Sequence, residues 1–319
     1  MLGIVADVAK AQPITDVAPE TPFGAFAARV IEVRAGEVEG LLADASRNGS
    51  PDDVHDRRVA LRRLRTAIEV FDPALPNRAK AVRRELKAVF SALGPRRDAD
   101  VALEELHAIE PSLATADRPG WKGLVAEFEA ERDASPAGLD AEAALRAQSE
   151  AAVLAAAARE GGGPPAAAAL RRVARKRVAD VRGRLEALGD PRDADALHEL
   201  RIAAKRLRYV LEAAAPALGE PAADGAKTAR DLQTVLGDVH DCDVMLPRLA
   251  AHRRALRAAD VAAVRAGSRP ANGARYRGVQ AVDTHFRARR EALRAEVAGR
   301  HAATAEALAT LAGALGGKA

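Results

Sequence analysis

The strongest constraint on the fold is a stretch that occurs twice. Residues 54–71 read VHDRRVALRRLRTAIEVF, and residues 197–214, 143 positions later, read LHELRIAAKRLRYVLEAA. Held at that offset without a gap, the match extends from 54–101 to 197–244, with 16 identities in 48 aligned positions. The identities include His55/His198, Arg58/Arg201, Arg63/Arg206, Leu64/Leu207, Arg65/Arg208 and Glu69/Glu212, then Gly94/Gly237, Asp98/Asp241 and Asp100/Asp243. Alanine-rich chains produce chance alanine matches, but not this set. The chain reads as a duplicated unit, each copy opening with a basic helix.

That helix has two faces. His55, Arg58, Arg62 and Arg65 recur at spacings of three and four, so they form one stripe. Leu61, Leu64, Ile68 and Phe71 form a second stripe, roughly a third of a turn away. The second copy repeats this, with His198, Arg201, Lys205 and Arg208 beside Leu200, Leu207 and Leu211. The apolar stripe must enter a core. The basic stripe then borders that core, at a helix–helix groove or a channel. Like charges stacked at i,i+4 cost a few tenths of a kcal/mol per pair. Doing this twice in register suggests a polyanion that offsets the cost. A merely solvated face would mix Glu with Lys.

Charge is segregated along the chain. The net charge is only +4, yet residues 55–97 hold 12 Lys and Arg against 4 Asp and Glu, and 171–208 hold 12 against 6. Local positive fields attract anions whatever the net charge. Aromatic residues make up 3% while alanine and arginine abound, which favours helices packed on small side chains over a sandwich or barrel. The single Cys242 excludes an intramolecular disulfide and fits a reducing, cytoplasmic setting. No run of apolar residues is long enough to span a membrane, and the N-terminus lacks a signal-peptide pattern.

Residues 1–22 read as a flexible N-terminal tail with three prolines. Helices are expected over 23–45, 54–71, 77–93, 99–109, 119–134 and 137–159. Ser50 or Asp52 can cap the first basic helix, with Pro51 in its first turn. Asp72-Pro73 ends it, and Pro216 marks the matching break in the second copy. The 77–93 helix adds Lys80, Arg84 and Lys87 to the basic set, the last two matched by Lys227 and Arg230. Gly94 is expected to terminate that helix, and Asp98 to cap the next, with Gly237 and Asp241 doing the same later. Gly161-Gly162-Gly163-Pro164-Pro165 is the linker, so 23–160 and 166–315 form the two halves, with 316–319 as a C-terminal tail. The second half is expected to hold helices over 166–188, 197–214, 224–236, 244–264 and 275–315. No strand is expected.

Several chemistries find no support. There is no GxxxxGK or GxGxxG loop, no HExxH and no CxxC. No cofactor is expected, and no residue is assigned as catalytic or metal-ligating. His55-Asp56 and His240-Asp241 look like phosphohydrolase metal pairs but lack companions at workable spacing. A positive field should keep His55 and His198 neutral, leaving one N–H for a phosphate oxygen. Nucleic acid is disfavoured, because a single-strand binder needs aromatic platforms at its basic face, and no helix-turn-helix or zinc-finger pattern is present.

The paired blocks HDRRVALRRLR (55–65) and HELRIAAKRLR (198–208), with LGPRRDADV (93–101) and LGDVHDCDV (236–244), resemble the CHAD domain, the conserved-histidine α-helical domain. The resemblance implies an all-α fold of two pseudo-symmetric four-helix bundles with a basic surface or pore between them. It also implies binding of inorganic polyphosphate, often on polyphosphate granules. Carried over, the binding residues are His55, Arg58, Arg62, Arg63, Arg65, Arg84 and Lys87, with His198, Arg201, Lys205, Arg206, Arg208, Lys227 and Arg230. Two departures stand out: Lys205 replaces an Arg, which weakens bidentate phosphate contact, and His240 replaces Arg97. No triphosphate-tunnel signature accompanies the motifs. The expectation is a non-enzymatic polyphosphate-binding module. The alternatives are a metal-dependent phosphohydrolase or phosphotransferase and a non-specific nucleic-acid binder. No motif sets an oligomeric state.

Overall fold

The computed structural model describes residues 11–44, 49–135 and 140–316. Among these every regular element is helical, and the sole β-bridge joins Pro22 to Pro165. The helices are α1 (Phe23–Ala43), α2 (Pro51–Val70), α3 (Ala79–Ala92), α4 (Gly94–Ile109), α5 (Arg118–Ala134), α6 (Ala141–Glu160), α7 (Ala166–Glu186), α8 (Ala194–Leu218), α9 (Glu220–Arg265) and α10 (Gly273–Gly316). No helix among the described residues is long and apolar enough to cross a membrane.

The basic helices start as their sequences dictate. The Ser50 hydroxyl accepts a bond from the Asp53 N–H (3.2 Å), Pro51 fills the first turn, and Asp52 and Asp53 face the positive helix end. Asp193 caps α8 by accepting from the N–H groups of Asp195 and Ala196. The apolar stripes are buried to the last residue: Leu61, Leu64, Ile68, Phe71, Leu200, Leu207 and Leu211 are all at most 1% exposed. Burying such a side chain contributes roughly 1.5–3 kcal/mol.

Three expected helix ends move, each for a local reason. Gly94 does not adopt the left-handed conformation of a terminating glycine. The chain breaks there because Pro95, in the first turn of α4, has no N–H to give to the preceding turn. Asp98 therefore lies inside α4 and is not its cap. In the second copy Asp238 stands at Pro95's place and keeps its N–H, so Gly237 and Asp241 lie inside one 46-residue helix, α9. Pro216 sits within α8, which runs on to Leu218 and ends at Gly219 (φ 68°). The start expected at 137 falls among residues 136–139, outside the described residues.

The linker and the start of α1 clasp each other. Phe23 N–H donates to Pro164 O (2.8 Å) and Ala166 N–H donates to Thr21 O (2.9 Å). Each partner maps onto its counterpart by the same 143-residue offset, as do Pro22 and Pro165 of the bridge. Residues 11–22, expected to be a flexible tail, are tied down: Arg29 Nε donates to Thr15 O (3.1 Å), and Ile14 and Val17 rest against the core. Residues 1–10 and 317–319 lie outside the described residues.

Two apolar cores run across the linker and do not divide at it. The larger gathers α1, α2, α3 and α6 with α7, α8, the first half of α9 and the end of α10. The smaller joins α4 and α5 to the second half of α9 and the start of α10, around Leu106, Phe128, Cys242 and Phe286. Here α5 and α10 cross at Gly120 and Gly278, so closely that a Cβ on Gly278 would meet Asp117 O at 1.9 Å.

Candidate anion-binding site

Burial of the apolar stripes brings α2 against α8 and leaves the two basic stripes face to face. Lys205 marks where they meet. Its amine is pulled down to about 8, first by burial and then by the charges of Arg62, Arg201, Arg65 and Arg58. Four guanidinium groups from both copies therefore surround one lysine. Arg58 is lowered by burial, with Asp98 opposing and Arg62 and Arg97 adding to the shift.

Two aromatic rings hold this array apart from the core. Arg58 lies 4.1 Å over the Phe90 ring and donates to Phe90 O (3.0 Å), and Arg65 lies over the same ring at 5.5 Å. Arg62 and Arg208 approach Tyr209 at 5.9 and 5.4 Å. Such contacts are worth about 0.5–2 kcal/mol each and do not themselves use the N–H donors. Tyr209 thus belongs to the basic face, but it is only 9% exposed and supports guanidinium groups, not bases. The Nε atoms of Arg62, Arg65 and Arg201 are buried without a hydrogen-bond partner among the described residues. Buried unsatisfied donors cost about 1–3 kcal/mol each, which a bound anion could offset.

Beside this array a cleft of about 430 Å³ opens between α2, α3, α7 and α8. Helix α2 contributes Arg65, α3 contributes Arg83, Arg84 and Lys87, α7 contributes Arg177, and α8 contributes Lys205 and Arg206. Glu69 is the one carboxylate in the lining. It lies 3.8 Å from Arg177, and Arg83 pairs with Asp72 at 3.0 Å. Arg83 and Arg177 were absent from the sequence-derived set. Arg177 carried a signal, since it lies in the basic 171–184 run and is the repeat counterpart of Arg34.

The remaining candidates divide between the two ends of the array. His55 is half-buried and held in its neutral form by burial, then by Arg97 and Arg62. His198 is exposed, and its ring lies 5.2 Å from that of His240. His240, at the position of Arg97, is likewise lowered by burial, Arg201 and His198. Gly94 faces Arg58 and Gly237 faces Arg201: an added Cβ would lie 3.6 Å from Arg58 Nη1 and 3.8 Å from Arg201 Nε. The repeated arginines thus lie against the repeated glycines, at a separation that would still admit a Cβ.

Arg63, Arg208 and Arg230 gather elsewhere, around Glu212. Arg208 Nε donates to Glu212 (2.8 Å) and Arg230 Nη2 does so too (2.9 Å). Arg63 is lowered by burial and faces Glu37, Arg34 and Glu212. Lys227 is exposed on α9. Among the described residues no group of three or more His, Cys, Asp or Glu is placed to hold a metal ion.

An array of desolvated guanidinium groups on two facing helices suits an extended anion. Among solved structures the chain is similar to the CHAD domain from the plant Ricinus communis, at 21% identity and a TM-score of 0.63, over 95% of this chain and 97% of that one. It is also similar to PptA from Streptomyces chartreusis, at 16% identity and a TM-score of 0.60, over 86% and 97% of the two chains. No curated protein matches. At these identities the likeness concerns the fold. The CHAD domain itself matches residues 32–250, more than half of the chain and inclusive of both basic helices, and the chain belongs to the CHAD domain family.

Proposed function

We propose that this CHAD domain binds inorganic polyphosphate and does not transform it. The observation that carries the reading is the meeting of the two stripes at Lys205, where the charges of Arg58, Arg62, Arg65 and Arg201 crowd around one amine. Polyphosphate carries about one charge per phosphate along a flexible thread. Arginine forks bind its oxygens in pairs and stay charged at any cellular pH. His55, Arg63, Arg84, Lys87, His198, Arg206, Arg208, Lys227 and Arg230 extend the contact. Binding of this kind would hold the protein on polyphosphate granules in the cytoplasm. The aromatic rings of the site are covered by guanidinium groups and offer no platform for bases, which supports polyphosphate over nucleic acid.

The test is binding of long polyphosphate, single-stranded DNA and triphosphate at one salt concentration. Long polyphosphate should bind tightest, and no phosphate should be released with or without a divalent cation. Equal binding of DNA at equal charge would replace this reading with a general polyanion binder. Metal-dependent phosphate release would replace it with a phosphohydrolase.

A further inference from the structure

The repeat offset relates the open cleft to a second place on the molecule. Arg65, Glu69, Arg84 and Lys87 map onto Arg208, Glu212, Lys227 and Arg230, while Arg177 and Arg206 map onto Arg34 and Arg63. The same kinds of side chain are present at both places, but their pairing differs.

In the open cleft Arg83 pairs with Asp72 and Arg177 faces Glu69, but the other cations stand unpaired. Among the described residues no carboxylate pairs with Arg65, Arg84, Lys87, Lys205 or Arg206. At the second place the chain supplies its own anions. Glu212 is held by Arg208 and Arg230. Burial alone would raise its pKa, but those two bonds hold it below the usual carboxylate range. Glu37 pairs with Arg34 and also faces Arg63. The N-terminal segment lies over this pair, with Gln12 N–H donating to Glu37 (2.7 Å) and Arg34 donating to Gln12 O (3.1 Å).

Two substitutions between the copies go with the difference. Glu37 corresponds to Asp180, and Leu41 corresponds to Arg184. Arg184 takes Asp180 (3.0 Å), which leaves Arg177 facing Glu69. In the first copy Leu41 cannot compete, so Glu37 keeps Arg34, and Glu212 is left to Arg208 and Arg230.

We propose that polyphosphate is anchored asymmetrically. The cleft between α2, α3, α7 and α8 takes the tightly held phosphates, and Glu212 acts as an internal anion that closes the repeat-related place until phosphate displaces it. The inference rests on the polyphosphate reading above. Ion pairs that reach solvent, as Arg230 with Glu212 does, are weak, so phosphate can displace Glu212, at a cost of about three- to tenfold in affinity.

The experiment compares two exposed pairs of cations at about 0.15 M salt, where distant charges are screened. Long-polyphosphate affinity is measured for wild type, for Arg84→Gln with Lys87→Gln, and for Lys227→Gln with Arg230→Gln. Each is measured again with Glu212→Gln added, with helicity checked throughout. The first pair should weaken binding about tenfold or more, and the second by less than about threefold. With Glu212→Gln the cost of losing Lys227 and Arg230 should rise toward that of the first pair. Equal losses in the wild-type background, or a second-pair cost that Glu212→Gln leaves unchanged, would overturn the asymmetry while leaving polyphosphate binding intact. A wild type that does not bind long polyphosphate overturns both.

Discussion

Lys205 is the residue at which function and stability pull against each other most measurably. Its amine titrates at about 8 in the fold against an ordinary 10.5. The fall corresponds to about 3 kcal/mol spent on keeping it charged among Arg62, Arg201, Arg65 and Arg58. The sign follows from proton counts. Below pH 8 folded and unfolded chains both carry the proton, and the full penalty is present. Between pH 8 and 10.5 the unfolded chain keeps the proton that the fold releases, so stability rises with pH. Lys205→Met removes the charge and keeps the bulk. It should stabilise the free protein by about 1–3 kcal/mol at pH 7, an advantage that shrinks as pH rises from 8 to 10. Binding should move the other way: a phosphate chain restores the proton, so wild-type affinity should fall by up to about tenfold per pH unit above 8, whereas Lys205→Arg should bind with little change from pH 7 to 9.5. Urea unfolding at pH 7 and 9.5 reads the first effect, and titration of long polyphosphate across the same range reads the second. A Lys205→Met variant that is less stable than wild type at pH 7, or equally favoured at both pH values, would refute the electrostatic account.

Other outcomes follow from the same geometry. Replacing Arg58, Arg62 and Arg65 by Glu should abolish most of the binding free energy for long polyphosphate while circular dichroism shows an intact fold, because Leu61, Leu64 and Ile68 still fill the core. Log–log plots of affinity against salt should fall with a slope of several units, since each neutralised phosphate releases counterions; a flat plot would point to a small desolvated pocket. Leu64→Ala or Leu207→Ala, at fully buried positions, should cost about 2–5 kcal/mol in denaturant unfolding. Ser50→Ala should cost about 1 kcal/mol through loss of the α2 cap.

Periodicity made the faces of the basic helices legible. Leu61, Leu64, Ile68 and Phe71 are buried as their spacing requires, and Ser50 caps as its place before Pro51 requires. Local rules failed where a neighbour outranked them. Gly94 looked like a terminating glycine, but the break belongs to Pro95, and Gly237 without a following proline ends nothing. Asp98 and Asp241 lost their expected capping roles for that reason. Asp241 instead sits inside α9, raised to about 6 by burial and by Glu105 across the groove. What a sequence period cannot report is which surface a buried face meets. Arg83 and Arg177 reach the cleft only because α3 and α7 converge on α2 and α8, a fact of tertiary packing.

The relation between the two copies matters more to the site than either copy alone. Phe23 and Ala166 each donate a backbone bond across Pro22 and Pro165, and the two bonds exchange under the repeat offset. That reciprocity resembles an isologous contact between two subunits. It sets α2 against α8, so a basic stripe that would face water in a single copy faces its counterpart instead. Four arginines then crowd one lysine, at a cost that neither helix incurs by itself. The cores resist separation, because α4 and α5 are buried against α9 and α10 of the other copy. A rigid frame of this kind lets like charges remain close with no counter-ion at Lys205 among the described residues. Where the frame admits a counter-ion, at Glu212, the same cationic residues are quenched. On the proposed reading, the strength of polyphosphate binding is therefore decided by which carboxylates the fold keeps away from the cations, more than by how many arginines the motif contains.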